Sequence, residues 1–169
     1  MGDPGSGRDE TETERVDRNL SELLQELRVA LPGVQVLFAF LLTIPFAQGF
    51  AQLTSAQEKI YLATLLATMV SAVLLIAPTA YHRLTFRLQQ KPHLVLLANR
   101  LSIVGLGFLA LSMTGVVLLI TDFLFNTVVT VACTAFAALM FATFWYALPL
   151  ARRVDLEEDP GRVSPGEGS

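Results

Sequence analysis

The chain is poor in charge: only 16% of its 169 residues are Asp, Glu, Lys or Arg, against 53% hydrophobic ones. Soluble domains carry roughly 25% charge, so a water-soluble globule is a poor fit, and the apolar content excludes a disordered binding tail. There is one cysteine, which excludes a disulfide framework and a cysteine-based zinc site. There are two histidines, His82 and His93, eleven residues apart around a loop, which is no helical metal spacing. The net charge is -3, and nothing resembles the basic patch that a nucleic acid requires, so no nucleic-acid partner is expected. No glycine-rich phosphate loop, paired carboxylate or nucleophile with a base is apparent, so neither an enzyme nor a cofactor is expected.

The uncharged stretches carry the positive argument. No Asp, Glu, Lys or Arg falls between Arg28 and Glu58, between Lys59 and Arg83, between Arg100 and Asp122, or between Asp122 and Arg152. Each gap has about the 20 residues a helix needs to cross a ~30 Å hydrocarbon layer. The expected fold class is therefore all-α: a polytopic membrane four-helix bundle, preceded by a cytoplasmic amphipathic helix. Residues 1–10 form a disordered N-terminal tail, 11–31 the interfacial helix, 32–151 the four-span domain, and 152–169 a mostly disordered C-terminal tail. The spans lie near residues 29–50, 60–81, 101–121 and 125–150.

The amphipathic segment follows from Val16, Leu20, Leu23, Leu24, Leu27 and Leu31 at helical spacing. Arg15, Asp17, Arg18, Glu22, Gln25 and Glu26 fill the other face, and Thr11 with Glu14 fits a capping box. Pro32–Gly33 either breaks the chain before the first span or kinks one long helix. No cleavable secretory signal is visible, so the first span reads as an uncleaved anchor.

Orientation follows from Lys and Arg. Arg8, Arg15, Arg18 and Arg28 precede the first span. Arg83, Arg87, Lys91 and Arg100 lie in the second loop, and Arg152, Arg153 and Arg162 follow the last span. Lys59 is alone in the opposite loops. Both termini are expected in the cytoplasm of a bacterial plasma membrane. Trp145, Tyr146, Tyr81 and Tyr61 fall where headgroup anchors belong. Asp122 reads as a cap of the last helix, in a short turn at Thr121–Asp122.

Small residues recur every four positions in Ala63, Ala67 and Ser71 beside Thr64, Thr68 and Ala72, and in Thr130, Thr134, Ala138 and Ala142; span one offers Gln35, Ala39, Thr43 and Ala47 at the same period, and span three has Gly105, Gly107, Ala110 and Thr114. Close backbone approach drives helix association in lipid, so these stripes are expected to face inward or to form a homo-oligomer contact. Cys133 reads as a small packed residue. A cytoplasmic cluster of Glu22, Glu26, Arg28, His82, Arg83, Arg87 and Arg100 is expected to be a salt-bridge network or a site for anionic lipid or a membrane partner. Gln35, Gln48 and Asp122 are the candidate polar or ion contacts.

Several separated segments resemble an uncharacterised membrane-protein family common in actinobacteria. They are the run Glu14–Arg28, Val34–Thr43, Ala77-Pro78-Thr79-Ala80-Tyr81-His82-Arg83 and Ala98-Asn99-Arg100-Leu101, within residues 13–153. The resemblance implies a domain of unknown function whose members are often labelled sodium/proton antiporters. Two readings stand: a non-enzymatic assembling or regulatory four-span protein with a basic cytoplasmic face, or a small cation (sodium)/proton transport component.

Overall fold

The computed structural model describes residues 12–85 and 91–151; side chains are described for Arg18 and for residues 22–81 and 96–151. The two tails, Thr11 of the capping box, Arg87, and the side chains of His82, Arg83 and His93 lie outside the described residues. Every regular element among the described residues is helical. Helix α1 spans Glu12–Thr43, α2 Ser55–Thr85, α3 Lys91–Leu124 and α4 Thr127–Ala142. A π-helical turn, Thr143–Ala147, continues α4, and helix resumes to Ala151.

Four stretches are long and apolar enough to cross a membrane: Glu22–Phe46, Ser55–Tyr81, Leu96–Leu124 and Thr127–Ala151. The shortest has 25 residues, which at 1.5 Å per residue spans about 38 Å, more than the ~30 Å hydrocarbon core. The protein is an all-α, multi-pass membrane protein. It divides into two compact units, one up to Met113 and one from Thr114 onward.

No separate amphipathic helix precedes the first span: α1 runs unbroken through Pro32. A helix stop requires the chain to leave the right-handed region, usually through a glycine of positive φ. No described glycine has positive φ, Gly33 included. The missing N–H of Pro32 removes one backbone bond, a loss that membrane helices tolerate. At the other end Pro45 does act. It sits in the first turn of a 3-10 segment, Ile44–Phe46, followed by a second, Gln48–Gln52.

Helix α2 begins with a reciprocal cap. The Thr54 backbone N–H donates to Gln57 Oε1 at 2.9 Å, and the Gln57 N–H donates to Thr54 Oγ1 at 3.3 Å. This is a capping box with glutamine at the third helical position. In the second unit, α3 continues past Asp122 to Leu124, and the turn falls at Phe125–Asn126. The cap of α4 is Asn126, whose Oδ1 accepts from the Val129 N–H at 3.1 Å, rather than Asp122. Near the far end of α4, the Leu148 N–H bonds the Thr143 carbonyl five residues back. Pro149 follows immediately. Its ring would crowd the carbonyl four residues earlier, and the widened turn relieves that crowding.

Candidate functional site: a buried hydroxyl seam

Within the first unit, one line of buried side chains on α2 runs through Gln57, Tyr61, Thr64, Thr68, Ser71, Leu75 and Pro78, with Ala67 buried beside Thr68. The spacing alternates four and three. On α3 the buried positions Ala98, Ser102, Gly105, Leu109 and Ser112 follow the same rule, with Ala110 buried beside Leu109. On α1, Leu27, Val34 and Leu41 recur every seven. A seven-residue repeat drifts only ~20° per heptad around a helix, so it keeps one seam facing a neighbour. The three helices thus meet as coiled-coil-like seams.

The contacts fix their direction. Tyr61 Oη donates to the Leu41 carbonyl at 2.8 Å, tying the start of α2 to the end of α1. Phe50, in the intervening turn, meets the Tyr61 ring edge-on at 5.4 Å. Ser71 Oγ donates to the Gly105 carbonyl at 2.8 Å. About one turn earlier on α2 and two turns later on α3, the hydroxyls of Thr68 and Ser112 share a hydrogen bond. Ser112 Oγ also stands 3.2 Å from the Thr64 carbonyl, which accepts from Thr68 Oγ1 at 2.8 Å. Rising numbers on α2 meet falling numbers on α3, so the two helices are antiparallel.

Gly105 marks a close approach of α3 to α2. A Cβ there would stand 2.9 Å from Leu75 Cγ and Cδ2 and 3.2 Å from Leu74 Cβ. Any side chain there would run into Leu75 and Leu74 of α2, and the Ser71 bond to the Gly105 carbonyl forms at this close contact.

The seam is polar yet internally satisfied. Its buried polar side chains among the described residues are Gln57, Thr64, Thr68, Ser71, Ser102 and Ser112, and each makes a hydrogen bond; in the second unit, buried Thr121 and Thr130 each bond a carbonyl of the preceding turn. Buried hydroxyls without partners would each cost about 1–3 kcal/mol. The hydroxyl of half-buried Thr134 on α4 is the exception: it is enclosed with no partner.

The candidate polar contacts stand elsewhere. Gln35 is exposed on α1, and Gln48 is exposed in the turn after it; neither lies on the seam. Asp122 is exposed near the end of α3. Of the cytoplasmic cluster, Glu22, Glu26, Arg28 and Arg100 are exposed. Glu22 receives Arg18 at 3.9 Å one turn away, with both side chains more than half exposed. An exposed pair of that kind contributes at most a few tenths of a kcal/mol. Among the described residues no three His, Cys, Asp or Glu side chains are grouped so as to hold a metal ion. Cys133 is half-buried on α4, and Trp145 meets Phe141 edge-on at 5.0 Å beside the π-helical turn.

The four-residue stripes are only partly inward. Thr64, Ala67, Thr68, Ser71, Gly105 and Ala110 are buried, but Ala63, Ala138, Ala142 and the whole series Gln35, Ala39, Thr43 and Ala47 are exposed. A step of four advances about 40° beyond a full turn, so such a stripe leaves the seam within three steps. The alternating four-three pattern of Thr64, Thr68, Ser71 and Leu75 was the signal that locates it.

A family model matches residues 9–149. The chain belongs to the family of unknown function DUF6328. No curated protein and no solved structure matches it.

Proposed function

We propose that this protein is a non-catalytic, assembling or regulatory four-span membrane protein. Both termini lie in the cytoplasm, and its basic inner face meets anionic lipid. The observation that carries this reading is the satisfied seam: among the described residues, the six buried polar side chains of the first unit, Gln57, Thr64, Thr68, Ser71, Ser102 and Ser112, all spend hydrogen bonds inside the chain. An ion or proton path needs polar groups free to exchange partners, commonly an ionisable one within the membrane. The described buried positions hold hydroxyls and one amide, with no carboxylate, Lys or Arg. Arg100 is exposed and available to lipid phosphate, and Arg83, near the end of α2, and Arg87 add to the same charge.

The test is reconstitution into liposomes loaded with pH- and sodium-sensitive dyes. The proposal expects flux equal to that of empty liposomes under imposed proton and sodium gradients. It also expects binding of the purified protein to rise with anionic lipid content. Gradient-driven sodium or proton flux would overturn it in favour of a cation/proton transport component.

A further inference from the structure

The first helix buries Leu27, Val34 and Leu41 against its own chain. Around the other side, Pro32, Gln35, Ala39 and Leu42 also follow four-three spacing, and all four are exposed. This second line is not simply lipid-facing, because Gln35 is on it. Gln35 makes no hydrogen bond within the described chain. It lies seven residues beyond exposed Arg28, or about 10 Å further along the helix. Arg28 marks the inner charged boundary, so the Gln35 amide sits inside the hydrocarbon layer. Helical side chains lean toward the N-terminus, but a glutamine spans too little distance to reach headgroups from that depth. An unbonded amide in hydrocarbon costs several kcal/mol. α4 offers a contrast: its exposed Val128, Val131, Phe136 and Leu139 are apolar and suit lipid tails as they are.

We propose that a second copy of this chain docks on the α1 line Pro32–Gln35–Ala39–Leu42, with the two Gln35 amides hydrogen-bonded to each other. The proposal rests on the assembling reading above and names its partner. Two copies inserted with the same topology are related by a two-fold axis along the membrane normal. Equal residues therefore meet across that axis. An amide carries both donors and an acceptor, so two glutamines satisfy one another, which two lysines or two carboxylates could not. Ala39, one turn further on, is small enough for close backbone approach. A single polar residue on such a seam also fixes register and partner number.

The test uses the full-length protein in bilayers. Donor- and acceptor-labelled copies are mixed, and energy transfer is followed as lipid dilutes them. Gln35→Leu is expected to weaken self-association roughly tenfold, as loss of an interhelical bond of about 1.4 kcal/mol would, with helix content unchanged. Gln35→Asn should restore most of it. In a Cys133→Ser background, Ala39→Cys should form a disulfide-linked dimer in native membranes, and Leu62→Cys on α2 should not. If the protein is monomeric at all dilutions, both the assembling reading and this interface fail. If it self-associates equally well as Gln35→Leu, and Ala39→Cys does not cross-link, the interface alone is wrong. Capture of a different membrane protein at Ala39→Cys in place of the self-dimer would likewise overturn it.

Discussion

Helices α2 and α4 look alike as sequences and behave differently as structures. Both are membrane-length and strongly apolar, yet the most apolar stretch of α2 is 33% buried within the chain and that of α4 only 6%. Hydropathy reports whether a helix can live in lipid. It does not report which helix has protein neighbours, because lipid tails are as apolar as leucine. The difference lies in where hydroxyls recur. On α2 they fall at Thr64, Thr68 and Ser71 along a four-three line, and each has a partner. On α4, Thr130 bonds its own preceding turn and Thr134 has an enclosed hydroxyl without a partner.

The comparison breaks most sharply at Gly105. Gly105→Leu should destabilise the fold by about 3 kcal/mol, the upper range for overpacking, because the backbones of α2 and α3 must separate. Ala138→Leu, the same kind of change on the exposed face of α4, should move stability by less than about 0.5 kcal/mol. Thermal unfolding in detergent, read by circular dichroism, measures both. If the two variants melt alike, α2 and α4 do not differ in packing.

Loss of a cap comes next. Thr54→Ala removes the acceptor of the reciprocal cap of α2, and Asn126→Ala removes that of α4. Each should cost about 1 kcal/mol. Amide exchange should then show fraying confined to the first turn of the affected helix. Thr68→Val keeps shape and removes one hydroxyl from the Thr64–Thr68–Ser112 group. The expected loss is about 0.6 kcal/mol, since membrane hydrogen bonds measured singly are modest. Smallest of all is Glu22→Gln. It removes the exposed Arg18 pair and should shift the melting temperature by less than 1 °C, in keeping with an exposed pair worth a few tenths of a kcal/mol.

Much of the fold was legible in the charge gaps, because excluding charge from a ~30 Å layer is a strong constraint. Four membrane-length helices and the tight α3–α4 connection follow from it. What the sequence obscured were the local decisions. Pro32–Gly33 admits either a break or one long helix, and the helix continues, since no residue there leaves the right-handed region. Asp122 and Asn126 both suit a cap, and only the geometry selects Asn126. The seam was half legible. Its residues Thr64, Thr68, Ser71 and Gly105 were singled out as small and polar, but a four-residue period placed Gln35, Ala39 and Thr43 beside them. Those three are exposed, and the seven-residue period separates the two sets.

The claim that most needs testing is that the α2–α3 seam is closed to water. Single cysteines at Ser71, Ser112 and Gln48, in a Cys133→Ser background, can be treated with a membrane-impermeant thiol reagent from both sides in intact and permeabilised vesicles. The account predicts that Gln48→Cys reacts from one side, while Ser71→Cys and Ser112→Cys stay unmodified from either. Modification of Ser71→Cys or Ser112→Cys at a rate comparable to Gln48→Cys would reveal an aqueous path through the seam and contradict it.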